Sequence, residues 1–178
     1  MHIRETSASD LDAVIAVHDE AFGCEDVTSL TRLLLQDPSG KPAISLLALI
    51  DDRVAGHILF TNARVSGTDD KVTASILAPL AVVPEFQGKG VGGKLIETGL
   101  QMLTEAGFDL VFVLGHPGYY PRHGFEPAGC LGFEAPYPIP DKDADAWMVQ
   151  ALRPGVIGNV RGKVICADAL DRPEHWRE

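Results

Sequence analysis

Gln87-Gly88-Lys89-Gly90-Val91-Gly92-Gly93-Lys94 lies between an apolar run, Ile76 to Val83, and a segment with helical spacing that begins at Val91. The implied order is strand, loop, helix. That arrangement gathers unpaired backbone N–H groups and the positive end of a helix dipole at one point, and glycines let a ligand come close to the backbone. The stretch therefore reads as an anion site, with phosphate the expected anion.

Working outward, the segment after the loop carries Val91, Leu95, Ile96, Met102 and Leu103 toward a core and ends at Gly107, a C-cap position. Leu110-Val111-Phe112-Val113-Leu114 is then a buried strand, and its helical connection to the preceding strand makes the two parallel. Upstream, Ala43 to Ile50, Val54 to Val65 and Val72 to Val83 read as an antiparallel meander. Its turns fall at Asp51-Asp52-Arg53 and Ser66-Gly67-Thr68-Asp69-Asp70. Before the meander, His2-Ile3-Arg4 is a short first strand, and Ser7 or Ser9 caps a helix with Leu11, Val14, Ile15, His18 and Phe22 at helical spacing, closed by Gly23. A second helix, capped near Thr28 or Ser29, covers Leu30 to Leu35 and stops before Pro38. Downstream, proline-rich turns alternate with strand-like pieces at Ala146 to Leu152 and Gly162 to Ala167. The fold class is α/β: a mixed, mostly antiparallel sheet with one parallel step and helices on both faces.

At 178 residues, 46% hydrophobic and 22% charged, the chain suits one domain spanning 1–178. A formal net charge of -10 without a cluster of Lys and Arg argues against nucleic acid as partner. Cys24, Cys130 and Cys166 are odd in number, widely separated and without a second Cys or His at metal-ligand spacing. They read as reduced thiols with no metal, consistent with a cytoplasmic location. Met1-His2-Ile3-Arg4-Glu5 turns polar at once, and no apolar run reaches membrane-spanning length, so neither a signal peptide nor a membrane is expected.

Three patterns overlie the glycine loop. Gly88, Gly90 and Gly93 satisfy G-x-G-x-x-G, and Gly88 to Lys94 satisfies the first seven positions of a P-loop. The P-loop needs Ser or Thr after its lysine to hold magnesium, and Leu95 stands there. The dinucleotide fingerprint follows its strand directly and wants an acidic residue at the end of the next strand; here Pro84-Glu85-Phe86-Gln87 intervene and the next strand ends in Gly115-His116. The third pattern fits at every position. Gln87-x-x-Gly90-x-Gly92, after a strand ending Leu80-Ala81-Val82-Val83-Pro84, resembles the acyl-CoA pyrophosphate motif of the GNAT-type N-acetyltransferase superfamily. Tyr119-Tyr120-Pro121-Arg122-His123-Gly124-Phe125 resembles the ending of one subset of that family, with His123 where an aromatic residue often stands. The likeness covers roughly the first three quarters of the chain, leaving 131–178 as a variable extension of the sheet.

The resemblance implies an acetyl-CoA-dependent N-acetyltransferase acting on a primary amine of a small molecule or peptide; self-association into a homodimer is left open. It implies that the strand before the loop splays from Leu110–Leu114 to admit the pantetheine arm, which accounts for Pro79 inside a strand, where a missing N–H interrupts pairing. Leu80, Ala81, Val82 and Val83 then offer backbone groups to the cofactor, with an N–H near Val82 as oxyanion donor. Gln87, Gly88, Lys89, Gly90, Val91, Gly92, Gly93 and Lys94 hold the pyrophosphate. Tyr120, four residues before Gly124, is the general acid for the departing thiolate, and Arg122 and His123 reach toward an outer phosphate. His57, Glu20, Asp26 and Glu85 are candidates for a base. A non-catalytic acyl-CoA-binding module and a nucleotide phosphohydrolase are the competing readings.

Overall fold

In the computed structural model, residues 1–69 and 71–177 are described; Asp70, the last residue of the expected turn at Ser66, and Glu178 lie outside the described residues. The strands are β1 (His2–Glu5), β2 (Ile44–Ile50), β3 (Arg53–Val65), β4 (Ala74–Val82), β5 (Leu110–Leu114), β6 (Glu126–Pro127), β7 (Phe133–Glu134), β8 (Trp147–Ala151) and β9 (Gly162–Ile165). The helices are α1 (Leu11–Phe22), α2 (Glu25–Gln36) and α3 (Val91–Glu105). The main sheet runs β1-β2-β3-β4-β5-β8-β6, with β9 pairing the far end of β3 and also β7.

The expected meander is present, with β1, β2, β3 and β4 antiparallel in sequence. Asp51 and Asp52, at φ 50 and 62, close the β2–β3 turn with the left-handed geometry that matches strand twist. β4 and β5 are parallel, joined by α3 as the connection rule requires. β8 then adds antiparallel to β5 along its full length, so part of the extension after residue 131 completes this sheet.

Side-chain alternation sends each strand's residues to two apolar clusters. Ile58, Phe60, Leu77, Val111 and Val113 meet Leu95, Ile96 and Leu103 of α3 on one face. Leu59, Ile76 and Phe112 meet Leu34 of α2, Trp147 and Trp176 on the other. Both faces are covered, which is why β2 and β5 read as near-continuous apolar runs. Met102, expected in the core, is only half-buried.

The starts of the first two helices differ from expectation: α1 begins at Leu11 after Asp10 as N-cap, not after Ser7 or Ser9. α2 begins at Glu25, after Cys24 as N-cap, not near Thr28. Thr28 is buried inside the helix and its hydroxyl donates to Asp19 Oδ1 of α1 at 2.6 Å, so it ties two helices together instead of capping one. Ser7 precedes a short 3-10 turn, and its N–H donates to Asp10 Oδ2 at 2.7 Å as the chain enters α1. Gly23 ends α1 in the left-handed conformation, φ 58, as expected.

Candidate functional site

The sheet opens at its parallel step. β4 and β5 are in register at Ala74↔Leu110, Ser75↔Val111 and Ile76↔Phe112, and pairing stops there. Just beyond, one residue of β3, Leu59, faces two of β4, because the register passes from Phe60↔Leu77 to Ile58↔Leu80. The extra residue falls at Ala78-Pro79, where proline has no N–H to give the ladder.

The backbone directions in the opened part follow from one bond. Val83 N–H donates to Ala55 C=O at 2.9 Å, which makes Ala55 and Val83 a hydrogen-bonded pair. Antiparallel pairs alternate, so Ala81 also faces His57 across β3, whereas Val82 and Leu80 turn their N–H and C=O groups away from β3 into the gap. Gln87 Nε2 donates to Val82 C=O at 3.0 Å, consistent with that direction, and ties the loop to the strand. Of the four strand residues expected to offer backbone groups, Leu80 and Val82 present theirs to the gap and Ala81 spends its own on β3, while Val83 gives its N–H to Ala55 C=O of β3 and its C=O accepts from Phe86 N–H at 2.8 Å.

The loop completes one end of the opening. Gly88 and Gly90 sit at φ 75 and 82, a conformation that glycine adopts without strain, and a Cβ at either would meet nothing within 4 Å. Among the described residues, no backbone hydrogen bond uses the amides of Gly88 to Gly93; the first amide that does, Lys94, donates to Gly90 C=O at 3.0 Å. These free donors lie at the start of a helix of 15 residues, whose N-terminal end carries about half a positive charge. Anions are the ligands this geometry suits. Lys89 lies over the Phe86 ring, 5.4 Å from its centroid, and Lys94 pairs with Glu97 at 3.6 Å, both beside the loop.

A cleft of about 850 Å³ joins the gap to the loop. Tyr120, buried at its wall, packs edge-on to Tyr119 and Phe125 at 5.1 and 5.7 Å and covers Gly115 at the end of β5. Tyr119 stretches the other way. Its hydroxyl lies over Gly92, where a Cβ would come within 2.5 Å, and Arg122 stacks on its ring at 5.3 Å. Burial pushes the Tyr119 phenol above its ordinary range, so it stays protonated. His123 lies against Gly93 with Nε2 buried and without a hydrogen-bond partner among the described residues. Burial, then the Arg122 charge, lowers its pKa. Gln87, Gly88, Gly90, Val91, Gly92 and Gly93 line the cleft with Leu80, Ala81, Val82 and Tyr120. Val83, Lys89 and Lys94 stand outside its wall, although Lys94 shares an adjoining hollow with Gly93, Arg122 and His123.

The acid–base candidates are not brought to the cleft. His57 is fully buried and bonds through Nδ1 to His18 Nε2 at 2.9 Å and through Nε2 to Ser45 Oγ at 2.8 Å. Burial lowers His18 to about 4, and burial with the neighbouring ring lowers His57 to about 3. Both rings are neutral pieces of the interior, and His57 belongs to the docking of α1 on β3. Glu85 pairs with Arg53 on the surface. Glu20 and Asp26 are exposed and do not line the cleft. Two lining groups escaped the sequence reading: His116, after β5, and His175, from a turn near the end of the chain. For His175 a signal existed in Trp176, an aromatic residue in an otherwise charged stretch, which marks an anchoring point.

A sequence profile for the acetyltransferase (GNAT) domain matches residues 2–128. The Escherichia coli protein called uncharacterized N-acetyltransferase YjhQ is 49% identical over 164 residues, covering 92% of this chain and 90% of its own. The crystal structure of the Escherichia coli GNAT family N-acetyltransferase YhbS in complex with CoA superposes with a TM-score of 0.86 at 26% identity, covering 97% of this chain and 92% of that one. A Brucella melitensis GNAT family acetyltransferase in complex with acetyl-CoA superposes at 0.75 with 28% identity, covering 96% and 97%.

Proposed function

The chain belongs to the GNAT acetyltransferase family, and from that premise we propose that it moves an acetyl group from acetyl-CoA to a primary amine of a small molecule or peptide by direct attack on the thioester. The observation that carries the reading is the break in the β4–β5 ladder after Ile76↔Phe112, opening directly onto a loop of unspent amides. A nucleotide phosphohydrolase has no use for a gap through the sheet. Two solved structures that the chain resembles hold CoA and acetyl-CoA.

The residues present fit that cofactor. Amides from Gly88 to Gly93 would hold the diphosphate, and the open space at Gly88 and Gly90 admits it. Arg122 and the unpartnered His123 Nε2 stand beside them as further donors. Lys89 and Lys94 add positive charge outside the wall. Backbone groups of Leu80 would pair with the amide-bearing arm, and Val82 N–H, turned into the gap, would serve as donor to the thioester oxygen as negative charge develops there. When bound, acetyl-CoA supplies an acetyl group already activated as a thioester. Tyr120 is the proton donor to the departing sulfur, its phenol held at the cleft wall by Tyr119, Phe125 and Gly115.

The test is ligand protection followed by turnover. Acetyl-CoA should raise the melting temperature and ATP with magnesium should not, and CoA should be released across a panel of amines. Gly90→Glu puts bulk and negative charge into the cradle and should weaken acetyl-CoA at least ~100-fold, on the order of 3 kcal/mol, by calorimetry. Unchanged affinity in that variant would sink the assignment. Tight binding without CoA release would support the non-catalytic acyl-CoA-binding module instead.

A further inference from the structure

The transfer proposed above needs a group that removes a proton from the incoming amine, and the cleft narrows the choice. Its titratable side chains, among the described residues, are His116, Tyr119, Tyr120, Arg122, His123 and His175; no carboxylate lines it. Arg122 carries only donors and has no acceptor for a proton. His116 accepts the Gly118 N–H on Nδ1 at 3.0 Å, so its neutral ring carries its proton on Nε2 and has no lone pair left to offer. His123 lies over Gly93 on the α3 side, with the anion cradle.

His175 stands on the opposite face of the sheet. Its neighbour Trp176 is 2% exposed, donates from Nε1 to Leu170 C=O at 3.0 Å, and packs edge-on to Trp147 at 5.6 Å. Trp147 pairs with Leu114, the last residue of β5, which lines the opening. The turn Pro173–Trp176 is thus pinned beside the place where β5 parts from β4, and His175 N–H closes it on Arg172 C=O at 3.1 Å. Val27 and Leu30 of α2 line the same side of the cleft.

We propose that His175 is the general base of the acceptor side, taking a proton from the incoming ammonium so that its nitrogen has a lone pair with which to attack. This rests on the acetyl-transfer reading. In the balance, an ammonium R–NH3⁺ becomes an amide R–NH–CO–CH3 and gives up two protons. The nitrogen lone pair forms the C–N bond, the C–S bond breaks with its electron pair going to sulfur, and one proton ends on the CoA thiol by way of Tyr120. The other passes to the His175 imidazole and on to solvent. The charged groups around the ring are Glu174 and Arg172 of its own segment and Asp26 of α2. Burial, the largest effect, lowers its pKa, while Glu174 raises it, Arg172 lowers it and Asp26 raises it. A lowered value leaves the ring neutral and able to accept at neutral pH.

The test uses the full chain and His175→Gln, which keeps a hydrogen-bonding side chain of similar length. The expected result is unchanged melting temperature and acetyl-CoA affinity, with kcat/KM at pH 7 reduced about 100-fold. That deficit should shrink as pH rises toward the amine's own pKa of about 10, where the acceptor arrives deprotonated. Independently of turnover, the His175 ring resonances in the free wild-type protein should titrate below the ordinary 6.5, and should shift when an accepted amine joins the CoA complex. A His175→Gln protein with wild-type kcat/KM, or one slowed equally at every pH, overturns the proposal while leaving the acetyl-transfer reading intact. A wild-type protein that binds no acetyl-CoA overturns both.

Discussion

At the scale of single residues, the most legible positions were those where backbone geometry admits few side chains. Gly88 and Gly90 need φ values near +80, a requirement local to the loop and therefore written in the sequence. Pro79 was legible for the same reason, since a residue without an N–H must break a ladder. The adjacent tyrosines were told apart only by their spacing to Gly124; their rings have different neighbours, Tyr119 over Gly92 of the loop and Tyr120 over Gly115 at the end of β5. That division makes a prediction about Tyr120. In Tyr120→Phe the ring and its packing on Gly115 remain while the phenolic proton is lost. Turnover should fall about 100-fold while acetyl-CoA affinity, read by calorimetry, stays nearly constant. A variant that matches the wild-type rate across pH would mean that another group protonates the sulfur.

At the scale of elements, helices and strands declared their type through periodicity, but not how they dock. His18 and His57 fit an amphipathic helix and an apolar strand, and nothing in their separate contexts shows that α1 is laid on β3 through a bond between them. The start of α2 was missed for a related reason: Thr28 is a good cap by type, yet Asp19 of α1 claims its hydroxyl. The histidine contact has a pH signature. Both rings hold their protons less readily in the fold than in the unfolded chain, with folded values of about 4 and about 3 against 6.5. Between pH 6.5 and about 4 the unfolded chain binds more protons, so stability is complete above 6.5 and falls as pH drops through that window. Each ring contributes a slope approaching about 1.4 kcal/mol per pH unit. Urea unfolding at pH 7 and pH 5 should show this loss, and His18→Gln/His57→Gln should flatten it. An equal slope in the double variant would assign acid sensitivity to carboxylate pairs such as Arg4–Asp10.

At the scale of the molecule, the glycine loop and the tail after β9 approach the opened sheet from opposite faces, and only the loop was legible. The loop is a local construction. The tail is held by contacts between distant positions: Asp168 N–H to Ser39 Oγ at 2.8 Å, Ala169 N–H to Asp37 Oδ2 at 2.9 Å, and Trp176 on Trp147. No periodicity in a run of short turns announces such partners. The division predicts that the two faces can be damaged separately. Trp176 is buried against Trp147 and Leu170, so Trp176→Ala should cost about 3–5 kcal/mol, lowering the melting temperature by about 2–4 °C for each kcal/mol. Because the cradle at Gly88 to Gly93 lies on α3's side, acetyl-CoA affinity measured below that melting temperature should change little. The KM for the amine should rise, since the turn carrying His175 loses its anchor. A parallel loss of acetyl-CoA affinity would instead mean that the tail braces β5 and the gap as a whole, making the two faces one cooperative unit.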